Sequence, residues 1–413
     1  MSRANLAPWG HNTMIASRFN LSALFVGAMA TFAGIGVARF AYTPIIPALV
    51  EANWFTATEA AYLGAANLLG YLGGAIGAHT LSERYKLRYV LGGAYIAVAL
   101  SFFLCLSPIG FLWFFIWRFV SGFAGATLMV VGPSLALSST PESQRPATGA
   151  MVFTGIGIGA FLSATAIPLL LNGGLVFAWI GLGVLAAAAG LIADRAFAGL
   201  KSLPAAPQPG NGAGGLTAAQ KWSIGIVMAA YAMDGIGFVP HTVFWVDYLA
   251  REVGMGQTMA SFQWAVLGVG AVFGPFIAGR AAKKLGWHGA LLSGFLAKSI
   301  ATALPVVSVS MASVTVSSLV VGAMIPGIVA LTAGRLSEIV GSAGHKKIWG
   351  MATAMFAAFQ AAGGYALSFV YAFLGTYEPL FSIGAVILVS GGLLLSTRYL
   401  LFLKPTQIQM EKN

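Results

Sequence analysis

Apolar residues run through this chain in long blocks, and polar residues collect in the short breaks between them. Each block reaches the roughly 20 residues that a helix needs to cross a hydrocarbon core about 30 Å thick. The pattern predicts twelve spans, at 20–49, 57–81, 88–107, 109–138, 147–171, 174–196, 221–250, 257–281, 287–307, 311–338, 347–374 and 378–403. In lipid only helices and closed barrels satisfy their own backbone, and blocks of this length predict helices. The expected fold class is therefore an all-α polytopic membrane protein.

Between the sixth and seventh blocks lies FAGLKSLPAAPQPGNGAGGLTAAQ (197–220), rich in Pro, Gly and Ala, which reads as a flexible linker. It divides the chain into a tail (1–19), a first six-helix bundle (20–196), a second six-helix bundle (221–403) and a closing tail (404–413). Sliding the chain on itself by about 200 residues supports two pseudo-symmetric halves: Thr58, Gly70 and Gly74 fall on Thr258, Gly270 and Gly274, and GIG at 34–36 falls near GIG at 235–237. Glycines crowd the second, fifth, eighth and eleventh spans. That is the chemistry of close helix approach in lipid, and it predicts sliding between these spans where the halves meet.

Composition agrees. Of 413 residues, 58% are hydrophobic and 8% charged, where a soluble domain carries roughly 25% charged residues. A net charge of +11 would suit a nucleic-acid binder, but its placement argues for topology. With the N-terminus inside, 18 of the 22 basic residues fall on one side: Arg3, Arg18, Arg84, Lys86, Arg88, Arg145, Arg195, Lys201, Lys221, Arg280, Lys283, Lys284, Arg335, Lys346, Lys347, Arg398, Lys404 and Lys412. Only Arg251 falls opposite. This alternation is the positive-inside pattern, with both termini cytoplasmic and an uncleaved first helix. The single Cys105 forms no intrachain disulfide.

HTLSERYKLR (79–88) resembles the 2–3 loop signature of the major facilitator superfamily through Leu81, Glu83, Arg84 and Arg88, with His79 and Lys86 at its two glycine places. GRAAKKLGWH (279–288) is similar in the second half through Gly279, Lys284, Gly286 and His288, and RFVSGFAGA (118–126) matches the Arg-x-x-x-Gly of the fourth span. Within the superfamily, GIGVARFAYTPIIP (34–47) resembles the first helix of YbfB/YjiJ-type transporters through Arg39, Phe40, Tyr42, Thr43 and Pro44. The resemblance covers essentially the whole chain. It implies a bacterial inner-membrane secondary transporter, monomeric and without cofactor, that rocks two bundles about a central site. Glu83, Arg84, Arg88 and Lys284 are then its cytoplasmic gating loops. The fifth span reads GIGIGAFLSA (155–164) where superfamily antiporters carry Gly-Pro, which weakens an export reading.

Four ionisable residues are read as stranded in the interior of the spans, away from their ends: Arg39, Arg118, Asp234 and Lys298. Each costs about 2.5–3.5 kcal/mol at the bilayer centre, so they are expected to face a hydrated cavity or pair with one another. Arg39 either grips an anion with its planar fork or snorkels outward. Arg118 either lines the site or bridges to Asp234. Lys298 sits on the ninth span, which the resemblance makes peripheral, and is not assigned to substrate. Asp234, taken as the one interior acid, either pairs with a cation or takes up a proton, which makes it the candidate proton-coupling residue. Tyr42, Asn67, His241, Gln263, Trp264 and Gln360 complete the candidate substrate site, with amide contacts between helices as their competing role. The surplus of interior cations favours a small organic anion. An exporter of neutral or cationic compounds, or a sensor that binds without translocating, stands as the alternative. An enzyme is disfavoured: His11, His79, His241, His288 and His345 are scattered, and no metal cluster, nucleophile elbow or Walker loop occurs.

Overall fold

The structure, a computed structural model, describes residues 20–141, 144–200 and 216–402. The two tails, most of the linker, and Arg3, Arg18, Lys201, Lys404 and Lys412 lie outside the described residues. The first half comprises α1 (Leu21–Glu51), α2 (Ala57–Arg84), α3 (Leu87–Phe103), α4 (Phe111–Ser138), α5 (Arg145–Leu171) and α6 (Leu175–Ala198). The second comprises α7 (Ala218–Glu252), α8 (256–285), α9 (287–307), α10 (Met311–Gly341), α11 (Lys347–Leu374) and α12 (Glu378–Phe402). All twelve expected spans are present, and the linker is shorter at both ends than 197–220.

Local chemistry sets the ends. Capping boxes start α2 (Thr56 with Glu59) and α7 (Thr217 with Gln220). Gly286 and Gly341 turn the chain between α8 and α9 and between α10 and α11 with φ of +71° and +69°, angles that exclude most side chains. The α2–α3 turn has no glycine because Tyr85 makes the bend in an extended conformation, φ −127°. The connections after α2, α4, α8 and α10 form one end of the bundle, the basic face, with Arg84, Lys86, Arg88, Lys283 and Lys284. The other end is the distal face.

The duplication is exact down to single atoms of packing. A Cβ on Gly70, Gly74 or Gly122 would strike the backbone carbonyl of Phe119, Phe123 or Asn67, where α2 crosses α4. On Gly270, Gly274 or Gly322 it would strike that of Leu319, Ala323 or Leu267, where α8 crosses α10, 200 residues on in every case. These glycines hold each half together. They do not form the sliding surface that their number suggested, because backbone contact at this distance belongs to fixed crossings. Gly155 and Gly159 likewise pack on α1, and Gly363 on α7. Only Gly64, Gly157, Gly268 and Gly364, among the described glycines, pack against the other half. Gly122→Ala is expected to cost about 1–3 kcal/mol by overpacking, whereas Gly93→Ala, inside α3 with nothing near its Cβ position, should leave the unfolding temperature of the purified protein the same or slightly higher.

Candidate functional site between the halves

The first helix of each half breaks where it nears the other. In α1, residues Phe32–Val37 are π-helical and Phe40–Ile45 form a 3-10 turn. The Tyr42 N–H bonds the Arg39 carbonyl at 3.2 Å instead of the Ala38 carbonyl four residues back, so the Ala38 carbonyl is released from the helix. Three buried donors collect it, each at 3.2 Å: Asn67 Nδ2, Arg118 Nη1 and Ser121 Oγ. In α7 the break follows Phe238, with π-helical turns at Pro240–Phe244 and Tyr248–Glu252. Such irregular turns recur where transporter helices meet their substrate.

The two breaks meet on the distal side. Thr43 Oγ1 donates to the Thr242 carbonyl at 2.5 Å, and Gln257 Nε2 to the Pro44 carbonyl at 2.6 Å. Trp264 Nε1 donates to Ser163 Oγ at 3.3 Å and sets its ring edge-on to Phe40, centroids 5.6 Å apart. The Tyr62 and Tyr365 rings face each other at 6.2 Å, and Leu68 of α2 touches α11 at Gly364. Together these contacts join the two halves toward the distal face.

Arg39 lies just short of these contacts along α1. It is 7% exposed and its guanidinium covers the Tyr71 ring at 4.2 Å, so it does not snorkel outward. Its Nε and Nη2 have no hydrogen-bond partner among the described residues. Gln360 of α11 is fully buried, and both its amide atoms are likewise without a partner. The two share a depth. From the Leu68–Gly364 contact, Tyr71 lies three residues toward the basic face on α2 and Gln360 four residues toward it on α11, about 4.5 Å and about 6 Å at 1.5 Å per residue.

Other candidates fall elsewhere. Arg118 does not reach Asp234: it holds the Ala38 carbonyl and lies over the Tyr42 ring at 4.2 Å. Tyr42 donates to the Ala60 carbonyl, and Asn67 Nδ2 bonds the Ala38 and Arg118 carbonyls. These three brace the break in α1. Asp234 pairs instead with Lys298 at 2.5 Å, both side chains sealed inside the second half, with the ammonium over the Phe238 ring at 4.6 Å. His241 Nε2 meets Ser317 Oγ at 2.8 Å, and Gln263 Nε2 meets Thr315 Oγ1 at 3.0 Å. Both bond to α10, and His241 Nδ1 and Gln263 Oε1 have no hydrogen-bond partner among the described residues. At the basic face Arg88 forms a two-pronged pair with Asp194 of α6 at 2.7 and 2.9 Å, Glu83 meets His79 at 3.2 Å, and Arg84 is exposed.

Asp234 is not the one interior acid. Asp247 is fully buried, paired with Arg251 and hydrogen-bonded by the Tyr377 hydroxyl, while Glu252 accepts from the Tyr377 N–H at 2.8 Å. The i,i+4 spacing of Asp247 and Arg251 on one helix was the readable signal. Both acids thus have cations within their own half. Arg39 and Arg118 lack an acidic partner among the described residues, so the unbalanced +2 belongs to the first half.

Residues 31–396 match the family described as "Uncharacterised MFS-type transporter YbfB". The chain belongs to this family of major facilitator transporters. No curated protein matches its sequence. Among solved structures it is similar to the nucleoside transporter NupG (D323A mutant), with a TM-score of 0.70 over 92% of this chain and 99% of that one, at 12% identity. At that identity the likeness shows the fold alone. YbfB-family membership and the apolar helices make the chain a multi-pass membrane transporter, as the loop signatures and the first helix implied.

Proposed function

We propose that this protein is a secondary active transporter that moves a small organic anion across a bacterial inner membrane by alternating access, with proton coupling at Asp234. One observation carries the anion reading: a buried guanidinium whose Nε and Nη2 find no partner. An ionised group held so is costly unless something binds it, and a planar fork binds carboxylate-like anions better than any other class. The distal contacts between the halves support a site reached from the basic face in this conformation. The positive-inside distribution makes that face cytoplasmic, with both termini there. Glu83, Arg84, Arg88 and Lys284 lie at the gating connections, and Arg88 with Asp194 ties α3 to α6 when that face moves.

Proton coupling runs through the Asp234–Lys298 pair. A proton on Asp234 removes the charge that holds Lys298, loosening α7 from α9 just before the α7 break. The distal end of α7, which carries the Thr242 carbonyl, is then free to leave Thr43.

The test is counterflow in proteoliposomes. Vesicles preloaded with unlabelled carboxylates should take up trace label of the same acid saturably, and faster with an inward proton gradient or its reverse. Uptake that never saturates, or saturable counterflow of neutral and cationic compounds only, contradicts the reading.

A further inference from the structure

The unpartnered polar atoms at the centre come from both halves, and they differ in kind. Arg39 offers Nε and Nη2, one edge of its guanidinium, with the Tyr71 ring covering a face. A ligand must therefore approach in the guanidinium plane, and two donors on one edge match the two oxygens of a single carboxylate. Arg118 commits its Nη1 to the Ala38 carbonyl and one face to Tyr42, while its buried Nε also lacks a partner among the described residues. From the second half, Gln360 adds one unpartnered acceptor and one unpartnered donor group at a similar depth. A fully buried carboxamide with neither end bonded costs stability unless a ligand supplies both partners.

We infer that the substrate is a monocarboxylate carrying a second group that both donates and accepts hydrogen bonds, such as a carboxamide, and that it bridges Arg39 of the first half to Gln360 of the second. This rests on the anion reading above and deepens it. The bridge gives the ligand a differential hold on the closed arrangement, because each half supplies one end. A ligand held at one end only gains the same contact in every conformation and shifts nothing.

The experiment uses the full chain in detergent and three families of probe: the amide acids malonamate, succinamate and glutaramate, the plain acids propionate, butyrate and pentanoate, and the corresponding diamides. Binding is read by thermal shift and titration. One or more amide acids should bind at least about tenfold tighter than the plain acid of equal chain length, the order of one good hydrogen-bonded group. Diamides should bind more weakly still. Gln360→Met, nearly isosteric and free of the unpaired amide, should unfold at the same or higher temperature yet bind amide acids no better than plain acids. Plain-acid binding should persist in that variant and fall in Arg39→Gln. Equal binding of amide and plain acids to the native protein overturns the bridge and leaves the anion reading intact. Binding of diamides with no binding of any acid overturns both, and so does a panel in which no acid binds.

Discussion

Arg39→Met is expected to make the protein more heat-stable and unable to bind its anion. The guanidinium makes no hydrogen bond through Nε or Nη2, so methionine removes a buried, uncompensated charge while keeping the volume over Tyr71. Relief of about 2–3 kcal/mol is the right order for a charge held within a membrane span, and it should appear as a rise of several degrees in the unfolding temperature. Substrate affinity should fall by about 100-fold or more, since a charged bidentate contact is worth a few kcal/mol when desolvated. Arg39→Lys is the sharper companion. It keeps the charge but loses both the fork and the flat face against Tyr71, and should bind nearly as poorly as the methionine variant. A residue that served only the fold would give the opposite sign in stability. Thermal unfolding with and without the best-binding acid reads both effects.

The second large effect concerns Asp234 and Lys298. Breaking a sealed ion pair strands the remaining charge, so Asp234→Asn and Lys298→Met should each destabilise by about 3–5 kcal/mol. The double variant should recover most of that loss, because two apolar or neutral groups of similar size leave nothing stranded in the core. Activity separates the pair's two roles. If it carries the coupling proton, the recovered double variant should still exchange substrate in counterflow but fail to accumulate it against a gradient in response to pH. Gradient-driven accumulation by the double variant would make the pair a structural pin alone.

The helical layout was legible because lipid leaves a sequence few choices: long apolar blocks, charge confined to the breaks and a 200-residue echo between halves. Arg39 stood out for the same reason, as a charge where charge is expensive. Pairing was not legible. Asp234 and Lys298 stand 64 residues apart on helices whose facing depends on tertiary packing, so Arg118 was the partner named from sequence and Lys298 is the one the structure supplies. Asp247 stands three residues from the distal end of the 221–250 block, and the structure buries it fully against the Tyr377 hydroxyl. The glycines misled in the other direction. A glycine that lets two helices touch within a half has the same sequence signature as one that lets two halves move, and Gly70 and Gly157 differ only in what they face. The released Ala38 carbonyl carried no signal of its own, since the Tyr42 N–H that turns instead to Arg39 is an ordinary backbone donor.

A structure of the protein with its best-binding carboxylate would test the central claim most directly. The account predicts the two carboxylate oxygens about 2.7–2.9 Å from Nε and Nη2 of Arg39, the range of charge-assisted contacts, with the far end of the molecule against α11. A ligand seated elsewhere while Arg39 turns to a protein acid or to lipid would contradict it.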